Sequence, residues 1–279
     1  MDYATIMVHL DASKQLHQRL HLAVQLALAY RAKLVGLLAL GRPDPRTIRD
    51  LVDDDRYLAS CNAWHRRVSE AAHRAFEGAT GVAPIRTEWR APEWGTAHTV
   101  QVDAHLADLV VLGQPEPSRE LSLLDDHFVE AVILHCGRPV LIVPYAGWFP
   151  SIGTRVVVAW NGSREAARAI RDALPILSRA DSVDIIQYLQ PDVADDPWRS
   201  PAKHAVSWLA EHGVRANLEE VMLDAGDDPG ELLLSRAADK NSDLIVMGAY
   251  GHARVRELVL GGVTRTLLQS MTVPVFMSH

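Results

Sequence analysis

Four glycines near the C-terminus are spaced as an anion-binding loop would space them. Met247-Gly248-Ala249-Tyr250-Gly251 is followed, after nine residues, by Gly261-Gly262-Val263-Thr264. The apolar run Leu244 to Met247 ends abruptly on Gly248, and an amphipathic run begins at Val263-Thr264. That order reads as a strand, a phosphate-sized loop and a helix start. Glycine admits an anion close to backbone N–H groups because no Cβ intervenes, and it tolerates left-handed backbone at little cost. A helix beginning just past Gly262 adds oriented donors and a favourable dipole, and Thr264 adds a hydroxyl. His252, directly after Gly251, either approaches the same anion or faces solvent as an ordinary loop histidine.

Other chemistry-bearing residues read as structural. His17 and His21 stand four apart on a helix, the spacing of a metal pair, but His-Gln-Arg-Leu-His lacks the glutamate of a zinc peptidase. Asp53-Asp54-Asp55 reads as a solvated turn. Asp227-Asp228-Pro229-Gly230 reads as a helix N-cap. Ser163 is a cap rather than a nucleophile, because no Gly-x-Ser-x-Gly elbow surrounds it. Cys61 and Cys136 lack metal-ligand spacing and read as reduced thiols. No catalytic residue and no metal site is assigned.

The 279 residues are 48% hydrophobic and 23% charged, as in an ordinary globular protein. A net charge of −7 weighs against a nucleic-acid backbone or an anionic membrane as partner. The tryptophans are scattered among carboxylates, unlike a base-stacking series. No apolar run is long enough to span a bilayer, and the start Met1-Asp2-Tyr3-Ala4 carries no secretory pattern. The expected compartment is the cytoplasm.

The chain is an internal duplication. Ala107-Asp108-Leu109-Val110-Val111-Leu112-Gly113 matches Ser242-Asp243-Leu244-Ile245-Val246-Met247-Gly248, and Pro139-Val140-Leu141-Ile142 matches Pro274-Val275-Phe276-Met277, both at an offset of 135. Ile6 to Ser13 matches Val156 to Ser163 at an offset of 150, so the first copy carries about fifteen extra residues, expected around Arg42 to Tyr57. A linker near Pro144 to Gly153 divides the chain into residues 1–150 and 151–279. In the second copy, strands at Val156–Trp160, Val183–Tyr188, Asn217–Met222, Leu244–Met247 and Val273–Met277 alternate with amphipathic helices. Such alternation predicts an α/β fold with a parallel sheet and right-handed crossovers. If strands one and four are neighbours, as in a 3-2-1-4-5 order, Asn161 and the glycine loop share one crevice at the carboxyl ends of the strands.

With these motifs the chain resembles the universal stress protein family in its tandem two-domain form. The resemblance covers essentially the whole length and is most specific at Gly248, Gly251, Gly261 and Gly262. It implies two Rossmann-like open parallel-sheet domains, of the adenine nucleotide alpha hydrolase-like kind. It also implies an intrachain pseudo-dimer with Val140–Val143 and Val275–Met277 at the seam. It further implies a stress-response role in which ATP or a related adenine nucleotide, with or without Mg²⁺, acts as a regulatory ligand. By position, Met247, Gly248, Tyr250, Gly251, Gly261, Gly262, Val263 and Thr264 line the phosphates and ribose, while Ala159, Trp160 and Asn161 lie along the adenosine.

Two residues depart from the family pattern. Asn161 replaces an aspartate and brings no charge, and Gly262 stands where many relatives have serine. In the first copy the departures go further. Glu116, Asp126, His127 and Val129 replace Gly251, Gly261, Gly262 and Thr264, and Pro115 and Pro117 remove backbone donors. That copy reads as silent. Competing functions are a nucleotide-free partner-binding module and a slow ATPase or adenylyl-transferring enzyme of the same fold. No Walker A lysine is present, and Asn161-Gly162-Ser163 stands where such enzymes usually carry His-x-x-His or Ser-Gly-Gly. Expected partners are the nucleotide, an unidentified protein and a second copy of the chain.

Overall fold

Two short carboxylates explain why the repeats begin and end as they do. Asp243, just before the fourth strand of the second repeat, accepts from the backbone N–H groups of Gly153, Thr154 and Arg155 at 2.9–3.0 Å. Asp108, its counterpart in the first repeat, accepts from Ala4 and Thr5 at 2.8 and 2.9 Å. Each aspartate therefore fixes where the first strand of its repeat enters the sheet. The repeated Asp-Leu motif is a register clamp and not a ligand.

The computed structural model describes residues 2–41, 54–115, 124, 127–189, 201–251 and 262–279. It forms two compact units, Tyr3–Cys136 and Gly137–His279, the latter joined by Met1–Asp2. In the first unit, β1 (Thr5–Leu10), β2 (Lys33–Leu38), β3 (Thr87–Arg90) and β4 (Leu109–Gly113) alternate with α1 (Leu16–Tyr30), α2 (Asp54–Thr80), α3 (Ala97–Ala104) and α4 (Phe128–His135). The strands lie in the order β3-β2-β1-β4, all parallel. Residues 54 and 55, read from sequence as part of a solvated turn, open helix α2. Asp53 and most of the expected insertion lie outside the described residues.

The second unit holds β5 (Val140–Val143), β6 (Arg155–Ala159), α5 (Arg164–Leu177), β7 (Ser182–Leu189), α6 (Ala202–Glu211) and β8 (Ala216–Met222). It continues with α7 (Pro229–Asp239), β9 (Leu244–Gly248), α8 (Gly262–Ser270) and β10 (Val275–Ser278). Its strand order is β5-β10-β9-β6-β7-β8. Counted within the repeat, β6 to β10 follow the expected 3-2-1-4-5 order, and all five run parallel. The central strands are buried on both faces, so they read as continuous apolar runs.

One strand amends the expectation of two sheets each complete in its own repeat. β5, by sequence the last strand of the first copy, runs antiparallel to β10, pairing Ile142 with Val275 and Val140 with Met277. The two strands expected at the seam thus meet through main-chain hydrogen bonds. The strands of the second unit are thus extended by a first-repeat strand and are not all parallel. Arg168 on α5 helps hold this junction, donating to the carbonyls of His279 and Gly137 at 2.7 and 2.6 Å.

Candidate functional site

The crevice lies where β6 and β9 end side by side, with Ala159 opposite Met247. Trp160 is buried and its N–H donates to the Ile186 carbonyl at 2.9 Å, which carries the chain out of the sheet. Asn161 then turns it: its amide oxygen accepts from the Ser163 N–H at 3.1 Å, and Gly162 takes φ +75°, which favours glycine. Ser163 caps α5, its Oγ accepting from the Ala166 N–H at 3.2 Å. Asn161 therefore spends its acceptor on the turn.

On the facing side, Gly248 meets the first turn of α5. A Cβ there would stand 2.5 Å from both the Ala166 nitrogen and the Glu165 carbonyl carbon. This glycine is needed first for helix–strand contact. Ala249 is fully buried, and its N–H donates to the Ser278 carbonyl at 2.8 Å. Tyr250 takes φ +60° and meets the His279 ring edge-on at 6.0 Å between centroids. A Cβ on Gly251 would stand 2.9 Å from Ser163 Oγ and 3.2 Å from a Glu165 carboxylate oxygen.

At the far end of the loop, Gly262 is exposed, with open space where a Cβ would project. Val263 is half-buried and Thr264 is buried in the first turn of α8. Thr266 donates to Asp228 at 3.2 Å, and Asp228 caps α7 through Gly230 and Glu231, as its sequence predicted. His252 and Gly261 lie outside the described residues. The structure thus brings Ala159, Trp160, Asn161, Met247, Gly248, Tyr250 and Gly251 to the ends of two adjacent strands. Gly262, Val263 and Thr264 lie at the start of the helix leading to β10.

Sequence reasoning missed Glu165. Only 5% exposed, this carboxylate lies under Gly251 and accepts from Arg164 Nε at 2.5 Å. Burial pushes its pKa up, but the Arg164 hydrogen bond, its own backbone N–H and the Ser163 hydroxyl more than offset this and hold it below the usual range. In sequence it was indistinguishable from any acidic residue in a first helical turn.

The corresponding crevice of the first unit is occupied differently. Asp11 Oδ1 accepts from the Ser13 N–H and Oγ at 2.9 and 2.6 Å and from Arg19 Nη2 at 2.7 Å. Arg19 is 1% exposed, and its Nη1 lies 2.1 Å from where a Cβ on Gly113 would be. A guanidinium therefore fills the space beside the glycine that ends β4. His9 Nδ1 approaches the other Asp11 oxygen at 4.0 Å, while its Nε2 bonds the Ala39 carbonyl at 2.8 Å. Glu116, Pro117 and Asp126 lie outside the described residues, Pro115 is exposed, and Val129 is buried in α4.

Among the described residues no group of three or more His, Cys, Asp or Glu side chains is placed to hold a metal, His17 and His21 included. Nor is any helix there long and apolar enough to cross a membrane. Cys61 and Cys136 are buried thiols with no disulfide between them.

A repeated parallel α/β unit with a glycine-bounded crevice at the carboxyl ends of its first and fourth strands defines a tandem Rossmann-like protein. The universal stress protein family model matches residues 2–144 and again 154–279, and the chain belongs to that family. The chain is 25% identical over 171 residues to the universal stress protein Slr1230 of Synechocystis sp., a match spanning 60% of this chain and 56% of that protein. It is similar in fold to a universal stress protein from Archaeoglobus fulgidus, with a TM-score of 0.69, 17% identity and coverage of 99% and 98% of the two chains. A putative universal stress protein from Pseudomonas aeruginosa superimposes with a TM-score of 0.56 at 14% identity, covering 99% and 93%.

Proposed function

We propose that the second repeat binds ATP or a related adenine nucleotide, and that the chain is a cytoplasmic stress-response regulator rather than an enzyme. The observation that carries this reading is the asymmetry between the two crevices. In the second, the Gly251 backbone comes close over Ser163 and the N-terminus of α5, as only a glycine allows, and Gly262 is exposed at the start of α8. Backbone donors at helix starts are what a phosphate chain requires. In the first, the Arg19 guanidinium, paired with Asp11, lies against Gly113, the counterpart of Gly248, where the second repeat has only the start of α5. Slow hydrolysis is a by-activity on this reading. Signalling runs through a protein partner or self-association.

Mass spectrometry of ligand released from purified protein, paired with calorimetry, tests the reading. The expected result is adenine nucleotide at one equivalent per chain. Two equivalent sites would remove the argument from asymmetry, and no binding would favour a nucleotide-free partner-binding module.

A further inference from the structure

At the mouth of the second crevice two opposite charges are arranged in an unusual order. Glu165 is the nearer to the glycine loop, with one carboxylate oxygen 3.2 Å from where a Gly251 Cβ would be, while its side chain is only 6% exposed. Arg164 is the farther, with 84% of its side chain exposed and its Nε on the other carboxylate oxygen. Phosphates drawn to the Gly251 backbone would meet a carboxylate before they met a guanidinium. Charges a few ångströms apart at a protein surface interact strongly enough to change affinity tenfold or more. No aspartate at position 161 shares this role, and Asn161 is committed to its turn.

We propose, on the reading that this crevice takes an adenine nucleotide, that Glu165 is its specificity-determining residue. Its carboxylate selects against phosphate charge, and Arg164 is the counter-ion that a polyphosphate must draw away from it. Arg164 can move because almost nothing covers it; Glu165 cannot, because Ser163, Gly248 and Gly251 pack around it. Each added phosphate charge then gains contact with backbone donors but is opposed by a fixed carboxylate until Arg164 swings across.

The test is calorimetric binding of adenosine, AMP, ADP and ATP to the full chain in chelator-containing buffer, for wild type, Glu165→Gln and Arg164→Gln. Glutamine keeps the shape of Glu165 and can still accept from Arg164 Nε. Glu165→Gln is expected to tighten ATP binding by at least about tenfold, ADP less, and adenosine by no more than about twofold. Arg164→Gln is expected to weaken ATP by about tenfold and to leave adenosine unchanged; at an exposed position it keeps the test open should Glu165→Gln unfold. Unchanged ratios among the four ligands, or weaker ATP binding by Glu165→Gln, would overturn the charge-selection role while leaving nucleotide binding intact. Absence of binding by wild type and both variants would overturn the nucleotide reading itself and this proposal with it.

Discussion

The buried ion pair of the first repeat offers a sharp energetic test. Asp11 and Arg19 are 4% and 1% exposed, 2.7 Å apart, and Arg19 Nε finds no acceptor among the described residues. Removing one member of such a pair strands the other charge, at ~3–5 kcal/mol, whereas replacing both by neutral groups of similar volume is often neutral or stabilising. In Arg19→Met the carboxylate keeps the Ser13 N–H and hydroxyl, so the loss should fall near ~3 kcal/mol. In Asp11→Asn the guanidinium keeps only a weak amide acceptor, placing the loss nearer ~5 kcal/mol. The double variant should return to within ~1 kcal/mol of wild type, a coupling of several kcal/mol. Urea unfolding of the full chain measures these values, and amide exchange in β1 and β4 assigns them to the first unit. Additive effects, or single losses below ~1 kcal/mol, would refute the claim that the pair is desolvated and mutually dependent.

Three other outcomes follow from the geometry. Gly248→Ala should cost ~1–3 kcal/mol in thermal unfolding, because the added methyl meets main-chain atoms of α5 at 2.5 Å and the helix start must move. Gly262→Ser projects into open space, so stability should hold within ~0.5 kcal/mol, while the added hydroxyl should tighten nucleotide binding severalfold by calorimetry. Glu88, hydrogen-bonded by Arg90 and Lys33, has its pKa lowered from 4.5 to about 2. A carboxylate depressed in the folded state contributes stability above its unfolded pKa and loses it as pH falls. The difference between wild type and Glu88→Gln in acid unfolding should therefore be constant above pH 4.5 and vanish toward pH 2.

What could be read from the sequence was what local patterns decide. The Asp-Leu repeat, the Ser163 and Asp228 caps and the alternation of strands and helices each depend on residues close in the chain, and they emerged as expected. The antiparallel pairing of β5 with β10 depends on which edges meet across more than a hundred residues, and no local signal records it. The glycine spacing was visible, but the work of Gly248 was not. Its missing Cβ leaves room for the backbone of α5, a contact between segments some eighty residues apart. Gly251→Glu, which introduces the residue that the first copy carries at this position, would press a side chain against Ser163 and Glu165 and disturb the helix cap.

The divergence of the two repeats comes down to where each keeps its charges. At equivalent places after the first strand, Asp11 and Arg19 in one repeat face Asn161 and Ala169 in the other. The first repeat thus neutralises an acidic turn from within, by folding a long cation back from α1 into the crevice. The second has no charge at the turn and a buried alanine where that cation would start, so its crevice is left for something else to fill. Its own ion pair lies instead between Arg164 and Glu165, where the acid is buried but solvent and any arriving anion can compete for the exposed Arg164. A charge pair sealed inside makes each member depend on the other; one with an exposed member can exchange that partner for an arriving ion.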